Sequence, residues 1–384
     1  MANNLVNGTA ARQAGGFLWP LAFAATMAAL RPTVAPGQTA VTPGTNLWET
    51  AIWHGGQCSP GLAPDGTVYT GTYDGRLLAF TPEGRLKWQF RTDVEIQSAP
   101  TIAPDGTIYF GCRDRRLYAV SPAGKFIWTF KTGQWVDVSP ALAADGTLFF
   151  GSWDRKFYAL KPSGEKRWEF PTGGPIVSSA ALDSDGVVYF GSHDGRLYAL
   201  NPDGTKRWEF ATRAPIISSP VVANDASILI ASVNGWLHAV NPDGSKHWAV
   251  HTGGATDSSP ALDAEGNIYL GVNHRLCAFG PDGAKKWEYA TGDQIESSPA
   301  LCADGSIVVA SRDHCVYAVG PDGALRWRKW LQGNILSSPV IGQDGTVYVS
   351  SVYRVHALQG TARLAQTPWP MFHANAQHTG RFMP

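Results

Sequence analysis

The sequence predicts an all-β chain, an eight-bladed β-propeller of four-stranded antiparallel blades. Three observations carry that expectation. A Ser-Pro pair recurs at Pro60, Pro140, Pro220, Pro260, Pro299 and Pro339, with Ala99-Pro100 and Ser179-Ala180 filling the two gaps. A tryptophan recurs with it, at Trp48, Trp88, Trp128, Trp168, Trp208, Trp248, Trp287 and Trp327. Each forty-residue unit holds four short runs rich in β-branched and aromatic residues, and none has helical periodicity. A fixed period of this size marks a solenoid, propeller or array, and four strands per period mark propeller blades.

The elements follow in order along one unit, Ser179 to Thr212. Ala180-Ala181-Leu182 is the first strand, innermost, where eight wedges converge and small side chains fit. Its inner edge is expected to be unpaired, so proline is tolerated beside it. Asp185-Gly186 is a tight turn, because Gly accepts a positive φ. Val187–Ser192 is the second strand, His193-Asp194-Gly195 the next turn and Arg196–Leu200 the third strand. Asn201-Pro202-Asp203-Gly204 turns again, with Pro presetting φ. Arg207–Phe210 is the fourth strand. The single 39-residue interval follows from a one-residue deletion near Asn273. A tryptophan repeated once per blade reads as an apolar plug between blades rather than as a ligand platform.

Counting the units gives the closure. The strand at Trp48 precedes the first Ser-Pro pair, and the eighth unit lacks a fourth strand at the usual spacing. The N-terminal strand is therefore expected to complete the last blade and remove an open edge. A strand at Trp369 is the rival. The chain divides into residues 1–44, a secretory signal peptide or disordered extension; 45–360, the propeller; and 361–384, a tail. The apolar run Gly15–Leu30 behind Arg12 suits a signal peptide and is too short, and too interrupted by Pro20, for a membrane span. Export to the periplasm or outside the cell is the expectation.

Composition narrows the function. Basic and acidic residues balance at 31 each, so no field draws the chain to nucleic acid or an anionic membrane. Five cysteines, Cys58, Cys112, Cys277, Cys302 and Cys315, form no CxxC or vicinal pair and read as buried free thiols, although Cys302 and Cys315 share a repeat. There is no G-x-S-x-G, HExxH, P-loop or EF-hand loop. His373 and His378 lie in the tail and read as solvated histidines rather than metal ligands. No catalytic or metal residue is assigned.

Connectivity sorts the turns onto two faces. Turns after strands one and three repeat the Asp-Gly and Pro-x-Gly forms and do turn work only. Turns after strands two and four differ from blade to blade. After strand two they carry Tyr73, Arg113 with Arg115, Trp153, His193, Val233 with Asn234, His274, Arg312 with His314, and Tyr353; after strand four, His54, Glu95 with Gln97, Trp135 with Asp137, Asp257, and Gln294 with Glu296. Varied loops on a rigid scaffold commonly carry function, and large exposed aromatics such as Trp135 and Trp153 suit contact anchors. A protein partner or small ligand is expected on this face and in the central funnel.

The run Tyr198-Ala-Leu-Asn-Pro-Asp-Gly-Thr-Lys-Arg-Trp208 resembles the pyrroloquinoline-quinone (PQQ)-type repeat with its tryptophan-docking motif, and it recurs in seven units. The tail Trp369–Arg381 resembles a segment that flanks such propellers in bacterial proteins. The family includes quinoprotein alcohol dehydrogenases and non-enzymatic scaffolds of the BamB type, from the outer-membrane protein assembly machine. The resemblance implies a propeller, usually exported, acting alone or within an envelope complex. For a dehydrogenase it implies PQQ stacked on a Trp, a calcium ion held by carboxylates and amides, an Asp base, a vicinal disulfide and long insertions. Here there is no vicinal Cys pair and the turns are short. Glu95, Asp137 and Glu296 are possible ligands without an assignable cluster. A binding scaffold without cofactor is therefore the leading reading. PQQ-dependent dehydrogenase is the alternative, and a carbohydrate or cell-surface module using Trp135, Trp153 and Tyr73 is the third.

Overall fold

The computed structural model describes residues 42–52 and 56–382. The proposed signal segment up to residue 41, and His54, lie outside them. The described chain contains 32 strands and no helix. They form eight four-stranded antiparallel sheets, the blades of a β-propeller. The blade read above is Ala181–Leu182, Val188–Gly191, Arg196–Leu200 and Lys206–Ala211. The innermost strand is two residues long in every blade, because the wedge narrows toward the axis.

Closure is by the N-terminal strand. Asn46–Ala51 pairs antiparallel with Arg354–Gln359, placing Trp48 opposite Ala357 in the eighth blade. Trp369 is instead buried beneath the sixth blade, where its carbonyl accepts the Leu262 N–H at 2.8 Å. The deletion near Asn273 shortens one hairpin, so that Val272 pairs directly with Arg275 across a two-residue turn.

The repeated tryptophans pack against the apolar clusters between blades and also clamp one blade to the next. Each is half-buried, and its ring lies on the turn glycine of the next blade. A Cβ on Gly204 would sit 2.6 Å from Trp168, so only glycine fits there. The indole N–H of Trp168 donates to Pro202 O at 3.0 Å, and six other tryptophans repeat the bond at 2.7–3.0 Å. Trp327, at the ring-closing seam, lies against Gly44 and leaves its indole N–H buried without a partner. Between blades the tryptophans join other apolar residues: Leu77 and Ala79 of blade one, for example, meet Ile108 and Phe110 of blade two, with Trp88 packed against them.

The inner edge, expected to be unpaired, is paired twice. The inner serine of one blade donates its N–H to the serine hydroxyl of the next, from Ala99→Ser139 through Ser179, Ser219, Ser259, Ser298 and Ser338 to Ser59, at 2.8–3.1 Å. Ala99 is the one interruption in this belt; there the Cys58 thiol donates to Ser98 O at 3.0 Å instead. The preceding serine hooks the strand to its own blade: Ser218 donates to Ala231 O and accepts the Ala231 N–H. Below the belt, the tail runs around the axis. Carbonyls of Trp369, Pro370, Ala376, Gln377, Thr379 and Gly380 accept N–H groups from blades six, seven, one, two, three and four at 2.8–2.9 Å.

The tail histidines are accordingly not solvated. His373 is 1 % and His378 0 % exposed. The His373 ring sits between His378 O, 2.6 Å from Nδ1, and Ala180 O, 2.9 Å from Nε2. Burial pushes its pKa down to about 4 against the pull of those carbonyls, and that of His378 to about 3, so both are neutral at pH 7. All five cysteines are free and buried.

Candidate functional site

The variable face carries its densest side-chain cluster where blades two, three and four meet. Arg113 follows the strand Ile108–Cys112, and Trp135 with Asp137 lies in the loop entering blade three. The Arg113 guanidinium grips Asp137 with two nitrogens, Nε to Oδ1 at 3.0 Å and Nη2 to Oδ2 at 3.1 Å. It also donates to Gln97 Oε1 at 3.0 Å and pairs with Glu95. Its fifth contact is aromatic: the guanidinium carbon lies 4.6 Å from the Trp135 ring centroid. Burial opposes the charge, but Asp137 and Glu95 outweigh it and hold the guanidinium above its ordinary pKa.

The aromatic side continues across the blades. Trp153 donates its indole N–H to Asp137 Oδ2 at 2.9 Å. Its ring meets Trp135 edge-on at 5.7 Å, and His193 of blade four at 5.7 Å. Burial lowers the His193 pKa, leaving that ring neutral. Tyr73 closes the other end; burial, then the Glu95 charge, pushes its pKa up to about 12. A cleft of 430 Å³ lies among Tyr73, Glu95, Arg113 and Trp135, and a shallower one of 610 Å³ beside Trp135 and Trp153. Trp135 is 40 % exposed, while the Arg113 and Asp137 side chains beside it are paired with each other and the His193 Nε2 is buried without a partner. The result is an aromatic shelf with the Trp135 ring open to solvent. This is the anatomy of an interface anchor. Among the described residues no group of three or more His, Cys, Asp or Glu is arranged to hold a metal ion.

The other sequence candidates fall elsewhere on the same face. Arg115 and His274 are exposed, and their backbone carbonyls brace the next strand through Thr132 and Thr291. Arg312 pairs with Glu296 at 2.7 Å. His314 lies 6.2 Å from the exposed Trp330, and Tyr353 stands 56 % exposed against Gly333.

The shelf borders a central pit, the funnel expected from the sequence. Its cavity is 150 Å³. The serine belt forms its wall, an arrangement the sequence did not foretell, and Phe372 of the tail its floor. Its rim carries one residue from each of seven blades, two before the belt position: Gln57, Gln97, Asp137, Val177, Ile217, Asp257 and Glu296. The Ser-Pro period was visible as a signal, but it read as a demand for small side chains rather than for hydroxyls.

Five overlapping segments spanning residues 37–369 (37–171, 113–259, 158–298, 233–318 and 272–369) match the family model described as outer membrane protein assembly factor BamB. Among solved structures the chain is similar to BamB from Moraxella catarrhalis, with a TM-score of 0.70, 17% identity, and coverage of 83% of this chain and 98% of that one. At that identity the likeness speaks for the fold alone. No curated protein matches the chain.

Proposed function

The chain belongs to the family of the outer membrane protein assembly factor BamB, and from that premise we propose that it is a non-catalytic scaffold of the cell envelope that binds a protein partner on its variable face. The observation that carries this reading is the Arg113–Trp135–Trp153 shelf. Three blades supply one pre-organised surface, so docking costs little side-chain entropy. Its aromatic and Arg composition is that of interface hot spots. The partner is a protein component of outer-membrane assembly, and the chain is exported to reach it. Among the described residues no helix is long and apolar enough to cross a membrane.

A quinone does not fit the pit. PQQ is a tricyclic tricarboxylate, whereas the rim presents Asp137, Asp257 and Glu296, and both nearby guanidinium groups are already ion-paired. The floor offers Phe372 rather than Trp, and a 150 Å³ cavity is small for a fused three-ring system.

Site-specific photo-crosslinking in envelope preparations tests the scaffold reading. A photoreactive residue at Tyr73 or Trp135 is expected to capture an outer-membrane assembly component, while one at Lys161, on the invariant turn face, is not. Capture of that component from Lys161 alone, or its absence from both faces, refutes the assignment.

A further inference from the structure

The pit has a chemistry of its own. Seven serine hydroxyls converge on it, six of them at most 6 % exposed. Each accepts a backbone N–H, and among the described residues none passes its own proton to a protein acceptor. Each oxygen retains one lone pair toward the lumen.

The charges at the rim are unequal. Asp137 is committed to Arg113 and Trp153. Asp257 and Glu296, from neighbouring blades, share one guanidinium, that of Arg312, whose contact is with Glu296 at 2.7 Å. Among the described residues Asp257 has no hydrogen bond or ion pair of its own; it lines the pit and is walled in by protein. That enclosure raises its pKa, and Arg312 pulls the other way. Glu296 is raised by its own enclosure first and by the Asp257 charge as well. Counting Asp137, Asp257 and Glu296 against Arg113 and Arg312, the rim has one uncompensated negative charge when all are ionised.

We propose that the pit binds a primary alkylammonium group, entering end-on from the variable face and held by Asp257 and Glu296 above the serine belt. An anion is repelled by the rim. A metal ion lacks a third close ligand. An ammonium on an alkyl stem has three donors for the carboxylates and serine lone pairs, a stem for Val177 and Ile217, and a charge that suits the Phe372 ring. The ligand is either a lysine side chain presented by a partner or a free amine. This site shares Asp137 and Gln97 with the shelf at its rim, but its ligand groups Asp257 and Glu296 make no contact with Arg113, Trp135 or Trp153 among the described residues, so the two readings fail independently.

Calorimetric titration of the full chain decides it, with n-butylammonium as probe and n-butanol as its neutral isostere. One butylammonium is expected to bind per chain, weakening with salt, while butanol does not bind. Asp257→Asn and Glu296→Gln each weaken binding about tenfold, with circular dichroism and melting unchanged, and Trp135→Ala leaves it unchanged. A blocked lysine peptide binding more tightly than butylammonium, and losing affinity on acetylation, assigns the group to a partner; tighter binding of cadaverine assigns it to a free amine. Equal binding of butanol, no binding of either amine at millimolar concentration, or native-like variants with unaltered affinity overturns the proposal.

Discussion

On the turn face, eight near-copies of one tryptophan clamp and a buried tail leave little free. Indole nitrogens meet proline carbonyls, glycines lie under rings, and the ends of six inner strands are tied to the tail. On the opposite face the same forty-residue unit ends in turns that differ from blade to blade, and one neighbourhood gathers Arg113, Asp137, Trp135 and Trp153 into a shelf that leaves Trp135 40 % exposed. The two faces teach that one repeat divides its labour by strand connectivity. The ends fixed by clamp geometry hold the ring together. The ends released from it are available for recognition.

That division breaks most visibly if the tail is removed. Deleting residues 361–384 strips nine backbone hydrogen bonds between tail and blades and removes the buried side chains of Trp369 and Met371; the loss is on the order of 5 kcal/mol, read as a fall in the urea midpoint. On the same face, Trp168→Ala empties one clamp and lowers stability by about 3 kcal/mol. Trp135→Ala is the matched change on the other face: it alters stability by less than about 1 kcal/mol and abolishes partner crosslinking. Equal destabilisation by the two tryptophan variants contradicts the division of labour.

Acid sharpens the same contrast. His373 has its pKa pushed down to about 4 in the folded tail, against about 6.5 in an unfolded chain. The unfolded state therefore takes up the proton first. The histidine's contribution is complete above pH 6.5 and is lost as pH falls from there toward 4, by about 3 kcal/mol. Hydrogen exchange across that window is expected to loosen the tail and inner strands before the shelf. A tail that stays protected at pH 4.5 contradicts the prediction.

The smallest effect is a repair. Ala99 interrupts the serine belt, so Ala99→Ser supplies a hydroxyl to the Ser59 N–H and raises stability by about 1 kcal/mol; the midpoint of chemical denaturation measures it.

Much of the architecture was legible from sequence because its causes are local. Strand runs, Asp-Gly and Pro-x-Gly turns and the spacing of Trp48 from the first Ser-Pro pair are read within a few residues, and counting them closes the ring. The shelf was legible only as separate names. Arg113, Asp137 and Trp153 were candidates, but the bonds that join them cross 24 and 16 residues and one blade boundary. Arg115 shares the turn of Arg113 and His274 lies in the equivalent turn of blade six, yet both are exposed and neither joins the bonds of the shelf, since a turn position specifies a face and not a neighbour.

The sequence alone determined the repeat, the blade, the closing strand and the assignment of turns to faces, because short-range periodicity and turn chemistry suffice for each. Tertiary structure decided which serine hydroxyl meets which N–H forty residues away, that the tail encircles the axis with His373 and His378 buried in it, and which carboxylates share one arginine. Those depend on where the ring brings distant blades together. The physical reason is that the inner radius, where eight chains approach one axis, is set by the packing of all blades at once and is encoded in no single repeat.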